Sequence, residues 1–213
     1  GLNKLDIRSG HFTHYRMEGN NPQSLPSDII RDITPYKDLL IIATQNGVCL
    51  FNPANGQCRQ LFKDSKEGKS IKMVADVVFD SEGTLWIAAT GEGVFSYRFD
   101  TRKLTNYRHD AANPNSLSNN NVNNITQDSK GNLWFSTSGS GLDLYRPETN
   151  DFENFDKGKN GLASDCIYET QESPTSGKLL LITNEGFSIF DYRNKDFNNY
   201  SAENGFPLTA VNE

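Results

Sequence analysis

Asp128-Ser129-Lys130-Gly131-Asn132-Leu133-Trp134-Phe135-Ser136-Thr137, with Gly141-Leu142-Asp143-Leu144-Tyr145-Arg146-Pro147 close behind, is the stretch that decides the fold. It reads as turn, strand, turn, strand. Asp128 opens the first turn and Gly131 closes it, as the backbone of a tight turn requires. Leu133-Trp134-Phe135 is a continuous apolar run, which suits a strand covered on both faces. Gly141 then starts a second strand.

The same glycine recurs at Gly1, Gly47, Gly93, Gly141 and Gly186, with spacings of 46, 46, 48 and 45 residues. Four residues after each stands a large apolar side chain: Leu5, Phe51, Tyr97, Tyr145 and Phe190. At offset eleven come Phe12, Cys58, Leu104, Phe152 and Phe197, and at offset fourteen Tyr15, Leu61, Tyr107, Phe155 and Tyr200. Upstream of the later glycines lie two more strands. The nearer covers 40–44, 85–89, 133–137 and 179–183; the farther covers 30–33, 74–79, 122–126 and 167–170. One repeat is therefore four short antiparallel strands, A to D. A period near 45 residues with four strands is the signature of a β-propeller, in which stacked blades bury faces that one blade alone cannot.

The sequence thus predicts an all-β chain, a propeller fragment of about four and a half blades. Residues 1–15 supply strands C and D of one blade, full blades cover 28–62, 72–108, 121–155 and 165–200, and 205–213 begin the next. No helical periodicity is evident. Cut blades expose strand edges, which predicts self-association.

Bulk properties narrow the function. The 213 residues carry 21 Lys+Arg against 27 Asp+Glu, a net charge of -6. That balance argues against nucleic acid as a partner. The longest apolar runs are of strand length, well short of the roughly 20 residues that span a bilayer, so no direct membrane contact is expected in this segment. Gly1-Leu2-Asn3-Lys4-Leu5-Asp6 lacks the charged start and apolar core of a signal peptide, so any export signal is expected outside it.

With the repeat written out, a family comes into view. The copy at 128–147 resembles the two-component regulator propeller repeat, as does the copy at Asp80–Trp86 and Gly93–Tyr97. The linkers Asn21-Pro22-Gln23-Ser24-Leu25-Pro26 and Asn113-Pro114-Asn115-Ser116-Leu117-Ser118 are similar to those of hybrid two-component sensors of gut Bacteroidetes. Ile41 and Leu180 depart from the pattern by replacing the strand-B Trp. The resemblance implies seven-bladed propellers, usually two in tandem, facing the periplasm. An immunoglobulin-like domain, a membrane helix and a histidine kinase would follow, forming the rest of a parent sensor kinase. It further implies an oligosaccharide ligand and signalling through a dimer. It supplies no residue-level binding motif.

Most chemical readings fall away on the residues themselves. Asp80-Ser81-Glu82-Gly83 superficially resembles the Asp-box of sialidase propellers, but its Asp–Gly spacing and its place before strand B make it a turn. His11, His14 and His109 are not spaced to share a metal. Gly91-Glu92-Gly93 and Gly139-Ser140-Gly141 open no helix, so no phosphate cradle forms. No catalytic residue, metal or cofactor is expected. Trp86 and Trp134 could stack on sugars, but inside strand B they read as inter-blade core. Cys58 stands in an apolar column and reads as core; a bridge to Cys49 across the C–D hairpin is the less favoured alternative.

One constellation remains. Strand A carries a variable column, Arg31, Ala75, Asn123 and Tyr168, and beside it an acidic one, Asp32, Asp76, Asn124 and Glu169. Strand A is the innermost strand of a blade, so these side chains reach toward the central channel. The favoured reading is a hydrated channel with structural hydrogen bonds. The sharper one is a ligand rim, with Arg31 and Tyr168 on a sugar and Asp32, Asp76, Asn123, Asn124 and Glu169 taking hydroxyls. The loops 111–121 and 157–165 would frame that mouth. The competing functions are a sensor module, a glycan-active enzyme (lyase or hydrolase) built on Arg31, Tyr168 and Glu169, and a protein-interaction scaffold.

Overall fold

A computed structural model describes residues 1–202 and Gly205. The predicted start of a further blade at 205–213 therefore lies outside the described residues, apart from Gly205. Strands β1 (Leu2–Leu5) and β2 (Phe12–Tyr15) form an antiparallel hairpin. The first sheet follows: β3 (Ile30–Tyr36), β4 (Leu39–Thr44), β5 (Gly47–Asn52) and β6 (Gln57–Gln60). The second is β7 (Val74–Phe79), β8 (Thr84–Ala89), β9 (Gly93–Arg98) and β10 (Lys103–Tyr107). The third is β11 (Val122–Gln127), β12 (Leu133–Thr137), β13 (Leu142–Arg146) and β14 (Asp151–Phe155). The fourth is β15 (Ile167–Glu172), β16 (Leu179–Thr183), β17 (Gly186–Asp191) and β18 (Asp196–Tyr200). Every sheet is ordered as its strands run along the chain. The innermost strands β3, β7, β11 and β15 touch in succession, as propeller blades do.

The recurrent glycines are explained by close backbone approach. A Cβ at Gly141 or Gly186 would overlap the carbonyl oxygen of Phe155 or Tyr200, and both residues have positive φ. Only glycine fits there at no cost. Between the sheets lie continuous apolar layers. Ile41, Val77, Leu85 and Phe95 pack in the first, Trp86, Ile125 and Phe135 in the second, and Trp134, Ile167, Leu181 and Phe190 in the third. Trp134 is fully buried and Trp86 almost so, which makes both inter-blade core.

Each Trp brings its own acceptor. Trp86 Nε1 donates to Asp80 Oδ2 at 2.8 Å, while Asp80 Oδ1 accepts the backbone N–H groups of Glu82 and Thr84. Asp128 repeats this with Lys130, Asn132 and Trp134. One carboxylate thus caps the A–B turn and satisfies a buried indole N–H. Where Ile41 and Leu180 replace Trp, that acceptor is not needed, and the preceding turns, Lys37-Asp38 and 173–178, are built differently.

Two expectations need correction. Cys49 and Cys58 are disulfide-bonded, with Cα atoms 6.0 Å apart. Cys49 pairs with Gln60 and Phe51 with Cys58. The two cysteines are thus diagonal neighbours on one face of the hairpin, within side-chain reach. Column character, which set them apart in the sequence, says nothing of diagonal contact. The bridge still sits in an apolar cluster, with Leu25, Ile42 and Phe51. The second correction is a one-turn helix, α1 (Lys157–Asn160), capped by Asp156, which accepts from Lys159 N. One turn is too short to show a periodicity.

Candidate functional site

Strand A has the same irregularity in all four sheets. The β3–β4, β7–β8, β11–β12 and β15–β16 ladders each slip by one residue, between 30 and 32, 74 and 76, 122 and 124, and 167 and 169. The residues left unpaired are Arg31, Ala75, Asn123 and Tyr168: the variable column is a column of β-bulges. A bulge bends its strand and re-aims one side chain. Here all four bulged residues line one cavity of about 530 Å³, together with Gln45, Met73, Val74 and Thr90. That volume falls in the range of small-ligand sites.

The cavity has one full charge. Arg31 is exposed and forms no hydrogen bond or ion pair among the described residues. Tyr168 is 44% exposed. Asn123 donates its amide to Ile167 O at 2.8 Å, leaving its oxygen available. Met73 was not singled out in the sequence, and it is unusual on two counts: it is 54% exposed and has φ +47°. Its backbone is held on both sides, donating to Gln45 O at 2.9 Å and accepting from Thr90 N and Oγ1. A bulky non-glycine residue held in the left-handed region is a recurrent mark of functional sites.

The acidic column does different work. Asp76 Oδ2 accepts Ile125 N at 2.7 Å and Asn124 Nδ2 at 3.0 Å, and its Oδ1 accepts Val77 N at 2.8 Å. Asn124 Oδ1 accepts Thr170 N at 2.9 Å and the Thr126 hydroxyl at 3.0 Å. Asp32 makes a longer contact, 3.4 Å, with Val77 N. Each member reaches to the innermost strand of the next sheet, so Asp32, Asp76 and Asn124 form an inter-blade ladder. Glu169, fourth in the column, is exposed. Burial pushes the Asp76 carboxyl up to about 6, with Asp32 beside it adding to the rise. Desolvation thus outweighs the hydrogen bonds that favour the charged form.

The mouth is walled by Gln45 and Thr90 from the B–C turns rather than by the loops 111–121 and 157–165. Those loops line a separate hollow with Asn113, Ser116, Asp156 and Asp165. The reason lies in Ser118 and Asp143. Asp143 is completely buried and accepts Ser118 N at 3.0 Å, Ser118 Oγ at 2.7 Å and Asn154 Nδ2 at 3.2 Å, which ties the linker down over β13 and β14. Burial raises this carboxyl too, to about 6. Of the histidines, His14 contacts Asn3 Oδ1 and His109 contacts Leu117 O. No group of three or more potential metal ligands occurs among the described residues. No helix among them is long and apolar enough to cross a membrane.

The linker Ser116-Leu117-Ser118, the strand-A bulge and the Asp128–Trp134 clasp all fall in one short segment. Residues 116–139 match the two-component regulator propeller family. That segment includes residues 128–137 and part of the 113–118 linker, two of the stretches on which the sequence resemblance rests. No curated protein matches the chain. Among solved structures, the extracellular domain of a hybrid two component system from B. thetaiotaomicron aligns with TM-score 0.72 and 23% identity, covering 81% of this chain and 24% of that one. An auxiliary nutrient binding protein from the same organism aligns with TM-score 0.57 and 11% identity over 81% and 41%. PorZ, a surface component of the type-IX secretion system of Porphyromonas gingivalis, aligns with TM-score 0.53 and 15% identity over 76% and 24%. These likenesses establish the propeller fold. The chain spans about a quarter of the length of the first of these structures.

Proposed function

We propose that this chain is an arc of the extracytoplasmic sensing region of a two-component regulator, and that the bulge-lined cavity takes a glycan-derived oligosaccharide. One observation carries the reading: four successive sheets each re-aim one strand-A residue into a single cavity, and those residues are Arg31, Ala75, Asn123 and Tyr168. A column kept only for packing has no need of an unpaired guanidinium and an exposed phenol. Arg31 supplies charge-assisted hydrogen bonds, Tyr168 and Met73 an apolar face, and Asn123, Gln45 and Thr90 polar contacts. The regulator-propeller match at 116–139 supports the sensor role. The Cys49–Cys58 disulfide supports an oxidising compartment, here the periplasm.

The ligand state would pass to a kinase through rearrangement of a dimer. The enzyme alternative, built on Arg31, Tyr168 and Glu169, is weakened because Arg31 and Tyr168 line the cavity and Glu169 does not. Two measurements test the proposal. Calorimetric titration with oligosaccharides released from plant and host glycans should find a binder whose affinity drops at least tenfold in Arg31→Ala and Tyr168→Ala. Binding unaffected by both changes would refute the site. Reading the gene on both sides should show further repeats, then a membrane helix and kinase; a catalytic domain instead would refute the sensor.

A further inference from the structure

Opposite the mouth, where the A–B and C–D turns lie, adjacent sheets meet in a second set of grooves, and one of these is left open. In the second and fourth sheets the sixth residue after the recurrent glycine sits on the C–D turn and packs on the preceding sheet. In the second sheet it is Phe99, which stacks on Tyr36 at 4.6 Å and packs beside Phe79. In the fourth it is Tyr192, packed 5.1 Å from Trp134 and against Phe155 and Phe190. In the third it is Pro147, whose small pyrrolidine offers no aromatic ring to lay over Trp86. The groove there, between the second and third sheets, has a volume of about 460 Å³.

Its walls are of mixed character. Trp86, Tyr107 and Tyr145 form an aromatic side, with ring centroids 4.9 to 5.7 Å apart. Tyr107 and Tyr145 both donate to Asn150 Oδ1, at 2.9 and 2.8 Å. Ser96 is paired with both Trp86 and Thr105 across the second sheet, so the Ser96 and Thr105 hydroxyls lie beside the rings on the same face. An aromatic side chain from a partner would leave those two hydroxyls unpaired, at a real cost. A pyranose ring has the same thickness, an apolar face for the tyrosines and hydroxyls for Ser96 and Thr105. Arg98 is tied to Asp100 at 3.2 Å, and Lys103 and Lys130 share the lining with Asp80 and Glu82, so the charges balance and the site does not demand an anion.

We propose that this groove is a second carbohydrate site, taking a neutral sugar of one or two pyranose units where the neighbouring grooves hold Phe99 and Tyr192. It is independent of the channel mouth, which lies at the other end of the strands.

The test uses NMR of the whole chain with maltose, cellobiose and lactose as probes at millimolar concentration. At least one should shift the Trp86 indole N–H signal and leave that of Trp134 in place. Pro147→Tyr, which restores the ring of the fourth sheet, should weaken this binding at least tenfold and raise the melting temperature. Ser96→Phe blocks the same space and should also abolish binding; it serves if Pro147→Tyr fails to fold. Arg31→Ala should leave the response unchanged, which separates this site from the mouth. The proposal is overturned if no probe shifts Trp86, or if the blocked variants bind like the parent.

Discussion

Two columns run side by side along the four innermost strands, one residue apart in sequence, and do opposite things. Asp32, Asp76 and Asn124 reach sideways and bind the next sheet's backbone. Arg31, Ala75, Asn123 and Tyr168 reach inward and line a cavity. What separates them is the bulge. In a regular strand, neighbours simply face opposite sides of the sheet. The extra residue re-aims one side chain toward the cavity, where Arg31 and Tyr168 are exposed, while Ala75 still packs on the core and Asn123 still bonds Ile167 O. The ladder holds the blades in place and leaves Arg31 and Tyr168 free for recognition.

That contrast can be broken by mutation. The largest effect is expected at Asp76→Ala, which strips Ile125 N, Val77 N and the Asn124 amide of their acceptor. With about 1–3 kcal/mol for each buried donor left unpaired, a loss of about 4 kcal/mol should appear in urea unfolding. A near-neutral result would remove the ladder from the account.

The raised carboxyls give the next effect. Asp143 moves from 3.8 to about 6 on folding. The folded state then holds a proton that the unfolded chain has released, so the contribution is full below about pH 4 and is lost as pH rises to about 6. Each pKa unit is about 1.4 kcal/mol, so the loss approaches about 3 kcal/mol. Stability measured against pH should fall across that window, and Asp143→Asn should make the fall shallower, leaving the part that Asp76 contributes.

Asp128→Ala should cost about 2 kcal/mol, since it frees both the turn and the Trp134 indole. The fourth sheet, with Leu180 in place of Trp, has no such clasp to lose. Smallest of all, Arg31→Ala should change stability by less than about 0.5 kcal/mol while reducing ligand affinity.

Much of this was legible in the chain. The glycine period gave the sheets and their order because close approach to a carbonyl admits one residue type only. The Asp–Gly turns and the strand-A columns could be read for the same reason: each is a local backbone requirement. The bulge could have been read too. Ile30 and Ile33, Val74 and Val77, Val122 and Ile125 are three apart, whereas a regular strand repeats every two. That odd spacing marks an inserted residue. Other features had no sequence signal. The Cys49–Cys58 pairing depends on hairpin register, and the exposure and positive φ of Met73 depend on two turns distant in sequence. The open groove at Pro147 became visible only beside the filled ones.

The contrast is sharpest at Asn123 and Asn124, the same residue type on adjacent positions of β11. Asn123 makes one hydrogen bond, to Ile167 O, whereas Asn124 binds Asp76, Thr126 and Thr170. Equilibrium urea unfolding of Asn123→Ala and Asn124→Ala is the most direct measurement. The account predicts losses of about 1 and about 3 kcal/mol, respectively. Equal losses, or a larger loss at Asn123, would contradict it.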